Sequence, residues 1–195
     1  GPGLPEDQFA RRGGEWFVPR LAPLRLPAGP PLALSPEGTW LVTGGLGGLG
    51  RRIAAWLVDR GARRLVLTTR SRDGRDAVEA LERAGARVRI ARVDAGDRAG
   101  TIRLLEEIGP SLAGVVHAAG VLERGPAAAA TADGLEAAFR ANADGAVTLG
   151  ELVPPGALLV LVGSAAATWG SRGMALYAAA NAALGDVARD RRARG

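Results

Sequence analysis

Five glycines fall within seven residues in Thr43-Gly44-Gly45-Leu46-Gly47-Gly48-Leu49-Gly50, between an apolar run, Thr39 to Thr43, and an amphipathic stretch, Gly50 to Arg60. A strand that enters a helix through such a turn constrains the chain sharply. Glycine lets the backbone turn tightly and lets a charged group approach the main chain. The helix N-terminus beyond it offers unpaired N–H donors and a partial positive charge. Gly45, Gly47 and Gly50 fit G-x-G-x-x-G, while Thr43, Gly44, Gly48 and Gly50 fit T-G-x-x-x-G-x-G, with Leu46 and Leu49 as spacers. Strand, glycine turn and helix in that order point to a pyrophosphate held on backbone amides, as a dinucleotide requires. The plain alternative is a structural glycine turn.

The pattern after Thr39 supports that context. Candidate strands are Thr39 to Thr43, Arg64 to Thr69, Arg87 to Val93, Gly114 to His117 and Leu158 to Gly163. Helix patterns lie between them: Gly50 to Arg60 closed by Gly61, Asp76 to Ala84 closed by Gly85, and Arg98 to Ile108 opened by Asp97 and closed by Gly109. Strict alternation predicts an α/β fold with a doubly wound parallel sheet and the first strand at its centre. Residues 1–38 read differently: a strand-like piece, Glu15 to Val18, then a proline-rich linker from Pro19 to Pro36. The expected division is therefore 1–38 and 39–195.

Composition excludes several chemistries. All 25 basic residues are arginine, and the chain has no lysine, no cysteine and one histidine. Thiolate catalysis, a lysine Schiff base, a disulfide framework and a cysteine-held zinc are ruled out, and His117 alone does not make a transition-metal site. No metal is expected. The arginines are interspersed with acids, as in Arg72-Asp73-Gly74-Arg75-Asp76, and aromatic residues are 4% of the chain, so a nucleic-acid partner is not expected. Apolar runs such as Ala157 to Val162 fall far short of a membrane span, and no signal pattern opens the chain. A soluble cytoplasmic protein is the expectation. The missing lysine has a bland explanation in a codon bias toward G and C.

Two later helices carry polar residues on inward faces. After Thr131, a plausible N-cap, Leu135, Phe139, Ala146 and Leu149 recur at helical spacing and Asn142 falls on their stripe. In the last helix Tyr177, Asn181, Leu184 and Val187 share one face, placing a phenol and an amide one turn apart. Satisfied core residues are the ordinary reading of each one alone. At the end of the second strand an NAD site would place an acid to receive the ribose hydroxyls. Here the chain reads Thr69-Arg70-Ser71-Arg72, which suits a 2′-phosphate and so favours NADP. Asp94, past the third strand, could reach the adenine amino group or merely cap its loop.

Together these motifs resemble the short-chain dehydrogenase/reductase superfamily and, more closely, the ketoreductase domain of modular type I polyketide synthases. Thr43 to Gly50 matches the cofactor turn, Val115-Val116-His117-Ala118-Ala119-Gly120-Val121 the segment after the fourth strand, Gly163-Ser164-Ala165-Ala166 the serine motif, and Tyr177-Ala178-Ala179-Ala180-Asn181 the Tyr-x-x-x-Asn motif. Ser164 and Tyr177 are thirteen residues apart, as in the family pattern. The resemblance implies a Rossmann-type fold, NADPH as cofactor with Ala118, Ala119 and Gly120 beside it, and reduction of a β-ketoacyl thioester on an acyl carrier protein to the β-hydroxyacyl thioester, in company with the other domains of an antibiotic-forming synthase. It assigns Tyr177 as the proton donor and Ser164 as a second donor to the carbonyl oxygen, with Asn142 and Asn181 completing the catalytic set. It also makes residues 1–38 the tail of a structural subdomain and its linker, and implies that a further strand and a lid helix after Gly195 are missing.

Departures from the family pattern matter. Ketoreductases of this kind carry a lysine in a stretch resembling Ala-Lys-Val-Asp-Gly-Ala, where this chain has Ala141-Asn142-Ala143-Asp144-Gly145-Ala146. The wider superfamily puts the lysine four residues after the tyrosine, and position 181 is also Asn. An amide can order a water or bind a ribose hydroxyl, but it supplies no positive charge to hold down the phenol pKa. Trp169 looks like the tryptophan of A-type domains, which give an L-hydroxyl, with core packing as the alternative. The Leu-Asp-Asp signature of B-type domains is replaced by Leu122-Glu123-Arg124. Beside an active reductase, two readings stay open: a catalytically silent domain with a cofactor-binding or architectural role, and a free-standing dehydrogenase, which the proline-rich linker and Asn181 disfavour.

Overall fold

The computed structural model describes residues 6, 8–25, 27, 29, 33–70, 74–122 and 124–194. The chain divides into two units, residues 1–31 and 32–195. In the first, β1 (Ala10–Arg12) and β2 (Glu15–Phe17) form an antiparallel hairpin. Its turn, Gly13-Gly14, has positive φ at both residues, a conformation that suits glycine. Trp16 anchors the hairpin, meeting the Phe9 ring edge-on at 6.2 Å with the Arg11 guanidinium 5.8 Å from its own centre. Only the second of these strands is visible in the sequence pattern.

The second unit alternates strand and helix: β3 (Thr39–Thr43), α1 (Gly48–Asp59), β4 (Arg64–Thr68), α2 (Arg75–Arg83), β5 (Arg87–Ala91), α3 (Arg98–Ile108) and β6 (Leu112–His117). There follow α4 (Ala132–Phe139), a π-helical segment (Arg140–Asp144), α5 (Gly145–Leu152), β7 (Leu158–Leu161), α6 (Ala166–Trp169) and α7 (Ala175–Arg194). The five strands β3 to β7 form one parallel sheet in the order β5-β4-β3-β6-β7, with β3 central as expected. Alternation along β3 explains the two layers. Trp40 and Val42 face a core with Leu57 of α1 and Leu81 of α2, while Leu41 faces one with Leu104 of α3 and Leu149 of α5. Each such buried leucine contributes roughly 1.5–3 kcal/mol over an exposed one. β7 is one of the two sheet edges, and Leu158 and Val160 on it are exposed. Among the described residues, no helix is long and apolar enough to cross a membrane.

The caps follow the sequence. Asp97 accepts from the Gly100 amide at the start of α3, Gly109 closes that helix with φ +59°, and Thr131 accepts from the Gly134 amide at the start of α4. The stripe over the next helix needs correction. Leu135 is exposed, and Ala138 is the buried residue of α4. The π segment inserts extra backbone between α4 and α5, so the face that α5 turns inward through Ala146 and Leu149 does not extend back to Leu135.

Candidate active site

Strand order reverses between β3 and β6: β4 and β5 lie to one side of β3, β6 and β7 to the other. The crevice at the carboxyl ends of those two strands is where an open α/β sheet binds its ligand. A cleft of about 310 Å³ opens there, with the glycine turn, the end of β4, the loop after β5 and residues 118–121 as its walls.

The glycines of the turn divide by task. Gly44 has φ +63°, and a Cβ on it would come within 2.9 Å of the Ala119 Cα, so it both turns the chain and brings it against the next loop. Gly44, Leu46 and Gly47 line the cleft. Gly45 and Gly50 serve packing: a Cβ on Gly45 would lie 2.8 Å from the Leu67 Cβ, and one on Gly50 would collide with the Gly44 carbonyl oxygen. A Cβ on Gly48 would meet open space, and Leu49 is exposed. Among the described residues no side chain caps α1 at Gly47, and no acid sits in its first turn, which suits an anion at its amides. These are the features a pyrophosphate needs, and the residues present fit a dinucleotide.

Arg70 lines the same cleft at the end of β4, and its Nη1 stands 3.8 Å from Asp94 Oδ2. The other Asp94 oxygen accepts from the Gly96 amide at 2.9 Å, the loop-capping role, while the residue also forms part of the cleft wall. Ser71 and Arg72 lie outside the described residues, as does Glu123. Ala118, Ala119 and Gly120 line the cleft.

Thr43 does not line the cleft; it builds its floor. Thr43 and His117 are register partners at the ends of β3 and β6. The Ala119 amide donates to Thr43 Oγ1 at 3.3 Å, and Thr43 Oγ1 lies 2.7 Å from His117 Nδ1. His117 Nε2 lies 3.2 Å from the Asn142 carbonyl oxygen. A carbonyl only accepts, so the partners assign the proton to Nε2, and Nδ1 accepts from the Thr43 hydroxyl. Burial pushes the His117 pKa below its ordinary value, opposed in part by the Asn142 carbonyl, and the ring is neutral. The sequence pattern puts His117 at a strand end and excludes it as a metal site but assigns it no partner, because Thr43 and Asn142 are distant in the chain.

Asn142 is 4% exposed, on the inward face as expected, within the π segment. Its side-chain amide donates to the Ala138 carbonyl at 2.8 Å and the Val121 carbonyl at 3.2 Å. Both N–H groups are thus committed to backbone, and Oδ1 faces Gly120 so closely that a Cβ there would clash. Asn181, also buried, donates from Nδ2 to the Tyr177 carbonyl at 2.9 Å. Tyr177 is half-buried on the first turn of α7. The helix reaches the π segment through Leu184, which packs with Ala143 and Ala146. Ser164 follows β7, and its Oγ accepts from the Ala166 amide at 3.2 Å, which leaves its own proton to donate. Ser164 and Asn181 border a second, broader cleft beside β7. Trp169 is 58% exposed, so core packing does not account for it.

The family model of the KR domain matches residues 38–195. The chain belongs to the KR family, the ketoreductase domains of polyketide synthases within the short-chain dehydrogenase/reductase superfamily. This ketoreductase domain is 43% identical over 199 residues to the spectinabilin polyketide synthase system protein NorA' of Streptomyces orinoci, a match covering 97% of this chain and 5% of that protein. It is similar in structure to the ketoreductase from the first module of phoslactomycin biosynthesis in Streptomyces sp. HK803, with a TM-score of 0.82 and 38% identity over 97% of this chain and 46% of that one. An A-type ketoreductase from a modular polyketide synthase matches at a TM-score of 0.81 and 41% identity, covering 96% of this chain and 41% of that one. The chain therefore spans a small part of its curated relative and under half of these solved chains.

Proposed function

We propose that this domain is a cytoplasmic NADPH-dependent ketoreductase that reduces a β-ketoacyl thioester, carried on an acyl carrier protein within a polyketide synthase, to the β-hydroxyacyl thioester. The observation that carries this reading is the cleft at the strand-order reversal, walled by the glycine turn, Arg70 and residues 118–121. Gly44 and Gly47 would let the pyrophosphate approach the amides of the first turn of α1, which would hold it, and Arg70 would hold the 2′-phosphate. NADPH, when bound, supplies the hydride. The remaining work falls to side chains. Tyr177, a phenol of reference pKa near 10, gives its proton to the substrate carbonyl oxygen. Ser164, whose oxygen is fixed by the Ala166 amide, donates a second hydrogen bond to that atom as charge develops. Asn181 braces the first turn of α7 through the Tyr177 carbonyl. The exposed Trp169, between the serine and tyrosine motifs, supports an A-type outcome with an L-hydroxyl.

The silent-domain reading draws on Asn142, which brings no charge. A positioned acid–base group contributes roughly 10²–10⁴-fold, so its loss slows the reaction without abolishing it. NADPH oxidation with a β-ketoacyl pantetheine thioester should be measurable in the wild type and faster in Asn142→Lys. A wild type that binds NADPH but never oxidises it, beside an active Asn142→Lys, makes the domain silent.

A further inference from the structure

Four groups at the strand-order reversal form one directed line of hydrogen bonds. The Ala119 amide donates to Thr43, the Thr43 hydroxyl to His117 Nδ1, and His117 Nε2–H to the Asn142 carbonyl. Each donor has an acceptor only if the ring is neutral with its proton on Nε2. One end, Ala119, is a wall of the cofactor cleft. The other is the π segment, against which α7 packs through Leu184. The ring is fully buried and closely fitted: a Cβ on Gly145 would come within 2.9 Å of its Cε1. A π turn is rare and occurs frequently at functional sites, and here its Asn142 carbonyl is held from outside by the His117 ring.

We propose that His117 is a positioning residue: it pins the π segment at Asn142 to the end of β6 and so sets where Tyr177 stands relative to the cofactor cleft. The proposal rests on the ketoreductase reading, since it assigns a catalytic consequence to the tie. A ring that merely filled space would be replaceable by an apolar side chain of similar size. A ring that ties two elements would be replaceable only by a side chain that both donates and accepts.

The contrast is His117→Met against His117→Gln, whose amide offers a donor and an acceptor. Because the chain has a single histidine, ¹⁵N NMR of the wild type reads the tautomer without ambiguity. The expected results are a neutral Nε2–H ring, and a kcat for reduction of a β-ketoacyl thioester that falls about ten- to hundredfold in His117→Met, the scale of an ångström of misplacement. KM and NADPH affinity should stay within about twofold, and His117→Gln should recover most of the loss. An Nδ1–H ring overturns the proposal whether or not His117→Met folds, and so does a folded His117→Met with wild-type kcat or a His117→Gln no better than His117→Met. An inactive wild type is a separate outcome: it overturns the ketoreductase reading and the positioning role with it.

Discussion

If Arg70 reads the 2′-phosphate as proposed, replacing it with alanine should remove a preference for NADPH over NADH while leaving the fold intact. The guanidinium is 67% exposed, and the Asp94 carboxylate stands off at 3.8 Å. Such a pair is worth under about 1 kcal/mol, so a 2′-phosphate displaces Asp94 at little cost. A charge-assisted hydrogen bond contributes roughly 1.5–3 kcal/mol, and solvent access at this position trims it to about 1–2 kcal/mol. At 1.4 kcal/mol per decade, Arg70→Ala should raise the Kd for NADPH about tenfold and that for NADH less than twofold. Asp94→Asn removes the competing charge but keeps an oxygen to accept from Gly96, and should tighten NADPH binding a few-fold. Titration calorimetry with both cofactors on the three proteins decides the matter. Equal weakening of NADPH and NADH in Arg70→Ala would refute the reasoning, because the residue would then shape the loop rather than read the phosphate.

Three further outcomes follow from the geometry. Gly50→Ala drives a methyl group into the Gly44 carbonyl, an overpacking that should cost roughly 1–3 kcal/mol and lower the melting temperature by several degrees. Arg191 donates to the carbonyls of Val153, Pro154 and Ala157 at 2.7, 2.9 and 3.1 Å, so Arg191→Ala should lower the urea midpoint by the equivalent of about 1–3 kcal/mol with NADPH affinity unchanged. Burial lowers the His117 pKa, so the unfolded chain takes up its proton near pH 6.5 while the folded one resists; the stability is full above that pH and falls below it. Denaturation from pH 7.5 to 5 should show that decline in the wild type and lose it in His117→Gln.

The sheet was legible because its signals are local. Apolar runs mark the strands, and Asp97, Gly109 and Thr131 mark helix ends with side chains or φ values that act within a turn. The glycine turn was legible too, although the division of labour between Gly47 at the cleft and Gly50 in packing comes from what each would strike. The π segment was hidden. Positions 135, 139, 142, 146 and 149 keep helical spacing whether or not an extra residue is inserted, so the pattern carries no mark of it, and Leu135 was expected inside when it is exposed. The hairpin strand Ala10–Arg12 was hidden because it is short, polar and exposed at two of three positions. The role of His117 depends on register pairing with Thr43, 74 residues earlier, and on a carbonyl 25 residues later. Local spacing holds no trace of either partner. Asn142 was legible as an inward polar residue, but the commitment of both its N–H groups to Ala138 and Val121 was not.

The central claim is that Tyr177 delivers a proton in an NADPH-dependent ketone reduction. Its most direct test follows NADPH loss and β-hydroxyacyl thioester formation together, with chiral analysis of the product, in the wild type and in Tyr177→Phe. The account predicts one product molecule per NADPH consumed, with an L-hydroxyl, and a fall in kcat of roughly 10²-fold or more in Tyr177→Phe at unchanged NADPH affinity. Wild-type turnover in Tyr177→Phe, or NADPH loss without the alcohol, would contradict it.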